Sequence, residues 1–182
     1  MASEEIATQV DHSQLDTQEM KVPVFFPVSL LKLAVLSICT FGLYEIYWFY
    51  KNWNCVKRRE ESDIIPAARS IFAYFFCYAF FRRVSDSAAE TIGNRLPAGA
   101  LAAGWIVTTA LWRLPDPYWL VCFSAVLFML PIQSAINSIN AKESPDHDRN
   151  GHFSAWNIVG VVLGGLLFIL GEIGKFLPAE QV

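Results

Sequence analysis

Glu45 is the acidic side chain most suited to chemistry in this sequence. It directly follows residues 22–44, an apolar run whose one charged residue is Lys32. An acid within a membrane is costly and is a candidate functional group by default. A structural partner, either the Lys51 ammonium or a tyrosine hydroxyl, would account for the same residue equally well. Both interpretations of Glu45 therefore stay open: a binding group, and a structural acid at the membrane surface.

Three side-chain amides form a second candidate group. Gln133, Asn137 and Asn140 are spaced i, i+4 and i+7, so they share one helix face. Amides are costly in an apolar environment, and this stripe must therefore face protein or water. It could line a polar cavity for a solute, a lipid headgroup or an ion. We favour hydrogen bonding between helices, with Asn157 or Ser154 as the partner, because the stripe lies near a membrane face.

The sequence lacks the motifs of catalytic and cofactor-binding sites. It has no P-loop, no GxSxG elbow, no HExxH motif and no dinucleotide-binding fingerprint. Acidic residues and histidines gather in residues 146–152, but their spacing fits no specific metal site, and we interpret this segment as a solvated loop. The four cysteines form no CxxC pair and are expected to be small buried residues. We predict a protein that is not an enzyme and has no catalytic residues, cofactor or metal.

The composition indicates where these groups lie. Of 182 residues, 54% are hydrophobic and 17% are charged, whereas soluble domains have roughly 25% charged residues. Long apolar segments in a bilayer must form helices, because a helix satisfies its backbone within one segment. We predict an all-α integral membrane bundle over residues 22–177. A disordered acidic tail, residues 1–21, is expected before it, and a short tail, residues 178–182, after it.

Four segments are expected to cross the membrane. The first runs into the aromatic residues of 44–53, which suit the headgroup level, and Gly42 is expected to cause a local kink. Residues 98–114 and 118–140 should form an antiparallel hairpin, because the intervening Pro-Asp-Pro cannot continue a helix. Residues 153–171 form the last apolar segment. The first apolar run is long enough for a bilayer core of about 30 Å, which takes roughly 20 helical residues.

A shorter apolar segment, residues 71–81, makes the topology ambiguous. If it does not cross, and the N-terminus lies outside, ten of the 14 lysines and arginines lie on the cytoplasmic side. If it crosses, this asymmetry disappears. Because cytoplasmic loops carry an excess of lysine and arginine, we favour a re-entrant or interfacial helix in addition to four spans. Five spans is the alternative.

Glycines mark one face of the last segment. Gly160, Gly164 and Gly171 would let another helix backbone approach closely, which drives helix association in lipid. Packing within one chain is favoured over a dimer, because a chain with several spans must pack its own helices.

Residues 40–53, TFGLYEIYWFYKNW, resemble the signature of a family of small multi-pass membrane proteins of bacteria that has no known activity. The PVSLLKLAVLS before them and the FSAWN at 153–157 are similar too. The resemblance implies a location in the bacterial inner membrane and brings no catalytic residues.

Two functions remain from this reasoning. The leading expectation is an accessory or scaffold component of a membrane complex, whose partners are the lipid bilayer and another membrane protein or a second copy. The alternative is binding or transport of a small solute or lipid through an amide-lined cavity, with the carboxyl of Glu45. A nucleic-acid partner is not expected, since a basic loop beside a membrane suits anionic lipid better.

Overall fold

The computed structural model describes residues 22–174, and all regular structure in that range is helical. The predicted all-α class is therefore confirmed. The predicted acidic tail and the C-terminal tail lie outside the described residues. Seven α-helices occur in this range: α1 Leu30–Cys39, α2 Leu43–Glu60, α3 Pro66–Ile71, α4 Ala73–Ile92, α5 Ala98–Ala110, α6 Val126–Glu143 and α7 Ala155–Gly174. Two 3-10 helices, Leu111–Arg113 and Tyr118–Ala125, connect α5 to α6.

The predicted first span is two helices that fold back on each other. Phe41 and Gly42 have φ angles of 52° and 83°, and these two left-handed residues separate α1 from α2. Phe26, which precedes α1, packs its ring 5.9 Å from that of Tyr47 on α2, and Lys51 Nζ lies 5.4 Å from its centroid. The chain therefore reverses at Gly42, where the sequence predicted only a kink.

One helical stretch in the described range is long and apolar enough to cross a membrane. It is Tyr118–Glu143, 26 residues that combine the second 3-10 helix with α6. Leu30–Cys39 and Ala155–Gly171 are apolar but shorter. The four predicted spans are therefore not confirmed, and the number of crossings stays a prediction.

The segment with the ambiguous topology forms α3 and α4. Helix α3 ends at Ile71, and α4 continues to Ile92, beyond the apolar residues. Phe80 and Phe81 on α4 are fully buried. Arg83, two residues further, pairs with Glu60 at the end of α2, with 3.1 Å between Nε and Oε1. The end of α2 and the middle of α4 therefore lie side by side, whereas a crossing between them would separate these two residues.

Aromatic side chains of α2 form the centre of the core. Trp48, Phe49 and Trp53 are buried, and the rings of Trp48 and Phe80 meet edge to face with centroids 5.4 Å apart. The sequence prediction placed both tryptophans in a belt at the headgroup level. In the structure both side chains face the protein core, and their depth in a membrane stays a prediction. Tyr and Trp have apolar bodies that suit a wet boundary and a buried core alike. Trp48 Nε1 donates to Gln133 Oε1, whereas Trp53 Nε1 is buried without a hydrogen-bond partner among the described residues.

Helices α5 and α6 form the expected hairpin. Gly104 on α5 faces Phe128 on α6 so closely that a Cβ on the glycine would lie 2.3 Å from the Phe128 ring. The close approach explains why a glycine occupies this position. It also positions Trp105, the next residue, against α2, where its ring lies 5.2 Å from that of Phe49.

Candidate functional site

The amide stripe binds an extended segment of the same chain, residues 22–29. Asn140 contacts the backbone of Phe25 twice: its Oδ1 accepts from the amide N–H at 3.1 Å, and its Nδ2 donates to the carbonyl at 2.8 Å. Gln133 Nε2 donates to the Phe26 carbonyl at 3.4 Å, and Asn137 Nδ2 to the Val28 carbonyl at 2.9 Å. Side-chain amides thus satisfy backbone groups that have no helix to satisfy them.

Two further asparagines also hydrogen-bond to the backbone of residues 22–29. Asn52 Oδ1 accepts from the Phe26 N–H at 3.1 Å, and Asn150 Nδ2 donates to the Pro27 carbonyl at 3.1 Å. Neither asparagine was identified from the sequence. The signal was Pro23 and Pro27, because a segment with two prolines cannot form a helix and must find hydrogen-bond partners elsewhere.

The predicted partners of the stripe are not its actual partners. Asn157 and Ser154 bond to each other, with 3.0 Å between Asn157 Oδ1 and Ser154 N. Gln133 instead makes its other hydrogen bonds with Trp48 and Asn137. Its Oε1 accepts from Trp48 Nε1 at 2.6 Å, and its Nε2 also donates to Asn137 Oδ1 at 2.8 Å. Most of the hydrogen-bonding capacity of the stripe is thus used within the chain.

Lys32 connects the same region to the loop before α7. Its side chain is buried, and Nζ donates to Asn150 Oδ1 at 2.8 Å and to the His152 carbonyl at 2.7 Å. Among residues 22–174, no group of three or more His, Cys, Asp or Glu side chains is arranged to hold a metal ion. Lys32 thus joins α1 to residues 150 and 152 of the loop at 146–152.

Glu45 lies apart from the amides, in a cavity of about 310 Å³. It occupies the first turn of α2, and its Oε2 accepts from Trp105 Nε1 at 2.7 Å. Neither predicted structural partner contacts it, since Lys51 stacks on Phe26 and no tyrosine hydroxyl bonds to it. The indole of Trp105 holds the carboxyl instead.

Aromatic rings form the walls of this cavity. Phe41, Trp112, Trp119 and Phe123 line it, and the ring of Phe123 lies 5.9 Å from that of Phe41 and 5.7 Å from that of Trp119. Trp119 is held in place by a hydrogen bond from Nε1 to Asp116. Phe168 of α7 packs behind three of these rings, with centroids 6.3–6.4 Å away.

Two oxygen atoms at the cavity have unused hydrogen-bonding capacity. Ser37 also lines it, and its Oγ is buried without a hydrogen-bond partner among the described residues. Glu45 Oε1 makes no hydrogen bond within the same range, and the ion pairs there join Arg82 and Arg95 to Asp86 and Arg83 to Glu60. Buried polar atoms are nearly always satisfied, so the unpartnered Ser37 hydroxyl, together with a Glu45 oxygen that is open to the same cavity, suggests a binding site.

The glycines of α7 differ in what they face. A Cβ on Gly164 would lie 1.6 Å from the carbonyl oxygen of Cys39, and one on Gly160 would lie 3.9 Å from Thr40 Cγ2. Gly171 has open space around it. Two of the three glycines therefore meet the end of α1 within the chain, and the third contacts nothing in the described structure.

Comparisons with known protein families, with curated proteins and with solved structures find no match for this chain.

Proposed function

We propose that this chain is a non-enzymatic membrane protein that binds a small ligand in the Glu45 cavity. The observation that carries the proposal is a buried carboxyl with one hydrogen bond and no cation partner among the described residues, in a cavity with aromatic walls. Buried acids in proteins are normally paired. A pocket of about 310 Å³ falls within the range of small-molecule sites, roughly 300–1,000 Å³.

The proposal revises the polar site expected from the sequence. In the alternative function derived from the sequence, Gln133, Asn137 and Asn140 line a cavity together with Glu45, but the Glu45 cavity includes none of them. Trp48, which bonds to Gln133, follows Glu45 by three residues on α2. In the proposed function the amides support the extended segment, and Glu45 binds the ligand.

We further propose a multi-pass arrangement in a bacterial inner membrane, in which α5, α6 and α7 cross. Two hairpins, α1–α2 and α3–α4, enter from the side with most of the lysines and arginines and return to it. Two contacts support this arrangement. Phe26 contacts Lys51 across the two ends of the α1–α2 hairpin, and Glu60, just before the α3–α4 hairpin, pairs with Arg83 on its returning helix. Apolar side chains exposed along α7 suit lipid contact, among them Val162, Leu166 and Ile169.

The test is the small-molecule content of the purified protein. Extracts of the parent, Glu45→Gln and the control Glu90→Gln, each purified in mild detergent, are compared by mass spectrometry. Glu90 is an exposed acid on α4. We expect an organic compound in about equimolar amount in the parent and the control, and its loss from Glu45→Gln with an unchanged helical content by circular dichroism. The melting temperature of Glu45→Gln should be lower, because a bound ligand stabilises the folded protein. Equal retention in all three would contradict the proposal.

An accessory or scaffold role is the second candidate. The observation in its favour is that most of α7 is exposed and apolar, while Gly160 and Gly164 hold the helix to α1. A partner helix could cover that exposed side. The same preparations distinguish the two roles: a protein partner in fixed ratio, retained by Glu45→Gln, would favour the scaffold, and a ligand lost from Glu45→Gln would favour binding.

A further inference from the structure

We propose that the ligand of the Glu45 cavity is an organic cation, an ammonium group with apolar substituents. This inference rests on the proposed function and adds the ligand class. Its basis is the juxtaposition of one carboxyl with an unused oxygen, one unpartnered serine hydroxyl and several aromatic faces around a single cavity.

The charge of the site calls for a cation. Burial penalises an isolated negative charge on Glu45, so an ionised carboxylate there needs compensating positive charge, and the helix N-terminus at the first turn of α2 supplies only part of it. The Trp105 indole N–H also stabilises negative charge on Oε2. None of the described ion pairs includes Glu45. A bound cation would therefore supply the positive partner that the Glu45 carboxylate lacks among the described residues.

The walls of the cavity select an organic cation. Phe41, Trp112, Trp119 and Phe123 offer π faces, and aromatic rings attract ammonium groups within about 6 Å of the ring centroid. Trp119 and Phe123, 5.7 Å apart, are inclined at 60°, so their faces point in different directions around the cavity. This is the chemistry by which aromatic cages recognise alkylated ammonium groups.

A metal ion fits the site less well. Calcium takes about 6–8 oxygen ligands, and magnesium requires near-octahedral coordination. The side chains that line the cavity offer the carboxyl of Glu45, the thiol of Cys122 and the hydroxyls of Ser37 and Thr109, and the Thr109 hydroxyl already donates to the Trp105 carbonyl. Glu45 and Cys122 belong to no group of three or more His, Cys, Asp or Glu side chains among the described residues that could hold a metal ion. The remaining lining is mostly apolar or aromatic. An organic cation needs only the carboxylate and the ring faces.

The mouth of the cavity suits a ligand that enters from an interface. Phe41 is 45% exposed and Trp112 is 60% exposed, whereas Glu45 is 7% exposed. A lipophilic cation would thus meet aromatic rings first and the carboxyl last. Aromatic side chains at a membrane–water boundary occupy the layer in which such amphipathic cations also concentrate.

The test compares two ligands of equal shape. Benzyltrimethylammonium and neopentylbenzene differ in one central atom, a charged nitrogen or a neutral carbon. Each is titrated into the full-length protein in mild detergent, with tryptophan fluorescence and the melting temperature as the two signals. We expect saturable quenching and a raised melting temperature with the cation, and neither signal with the hydrocarbon.

Variants locate the binding. Glu45→Gln should weaken binding of the cation about thirtyfold or more, since it removes one member of a buried charge pair. Phe123→Leu should weaken it about two- to fivefold through loss of a ring face. Glu90→Gln should bind like the parent.

Three results would overturn the inference. Equal binding of both ligands to the parent would show that the site does not distinguish a charged ligand from a neutral one. This result would stand even if Glu45→Gln fails to fold. Unchanged affinity for the cation in folded Glu45→Gln would show binding elsewhere. Absence of cation binding, together with a neutral copurified compound that Glu45→Gln loses, would end this inference but keep the proposed function. Absence of both would end both.

Discussion

Glu45 and Asn140 are buried to a similar degree, but the chain uses their polar atoms differently. Asn140 directs both ends of its amide to the backbone of one residue, Phe25, so its hydrogen-bonding capacity is matched to the N–H and the carbonyl of that residue. Glu45 has one oxygen held by Trp105 and the other without a protein partner in the described range. A residue whose atoms are all used contributes to the fold, and a residue with unused atoms at a cavity can bind something else.

The first prediction concerns the amides. Asn140→Leu leaves the N–H and the carbonyl of Phe25 without partners in a buried place, which should destabilise the protein by about 1–3 kcal/mol for each group. Asn137→Leu removes two hydrogen bonds of a half-buried side chain, one to the Val28 carbonyl and one from Gln133 Nε2, at a cost of about 0.6 kcal/mol each in a membrane. Thermal unfolding in detergent should therefore show the larger loss for Asn140→Leu. Equal losses would mean that the extended segment is held chiefly by its side chains.

At the scale of the element, the reversal between α1 and α2 determines where Glu45 lies. Phe41 and Gly42 adopt left-handed conformations in succession, which places the first turn of α2 at the far end of the hairpin. Gly42 could be identified from the sequence, because glycine adopts positive φ without cost. Phe41 could not, because a bulky residue at positive φ is an outlier that propensity does not predict. A kink was therefore expected where the chain turns back.

The contact between α7 and α1 gives the second prediction. Gly164→Leu would push a side chain into the Cys39 carbonyl, because even a Cβ would lie 1.6 Å from that oxygen. We expect a loss of about 1–3 kcal/mol or more from overpacking, seen as a lower melting temperature and weaker expression. Gly171→Leu is the matched control, since nothing lies within 4 Å of its added Cβ. If both variants melt like the parent, α7 does not depend on this contact.

At the scale of the whole molecule, periodicity predicted the helices better than it predicted their neighbours. Apolar runs and prolines were enough for the all-α class and for the α5–α6 turn. The spacing of Gln133, Asn137 and Asn140 showed that they share a helix face, but it could not show that an extended segment covers that face. Glu45 was identified as a candidate because acids are rare in apolar segments. Trp105, its partner, was not, because an indole in an apolar helix gives no sequence signal of its own.

The third prediction is the topology. Labels introduced at Ser62 and at Asp86 should both react from the cytoplasmic side, because the Glu60–Arg83 ion pair joins the two flanking segments. A label at Pro115, in the exposed turn between α5 and α6, should react from the opposite side. Accessibility to a membrane-impermeant reagent in intact cells measures all three positions. Opposite sides for Ser62 and Asp86 would rule out the α3–α4 excursion and favour five spans.

The hydrogen bonds that hold residues 22–29 also determine when this segment can fold during synthesis of the chain. Asn140 follows Phe25 by 115 residues, so at bacterial or eukaryotic elongation rates the ribosome reaches it on the order of ten seconds later. During that interval the peptide groups of Phe25 and Phe26 have neither Asn140 nor Gln133 to bind. Residues 22–29 therefore remain without these partners, in water or beside the insertion machinery, until residues 133–140 have been synthesised. A message truncated before residue 133 yields a product in which residues 22–29 lack the hydrogen bonds to Gln133 and Asn140. We expect quality-control proteases to degrade this product.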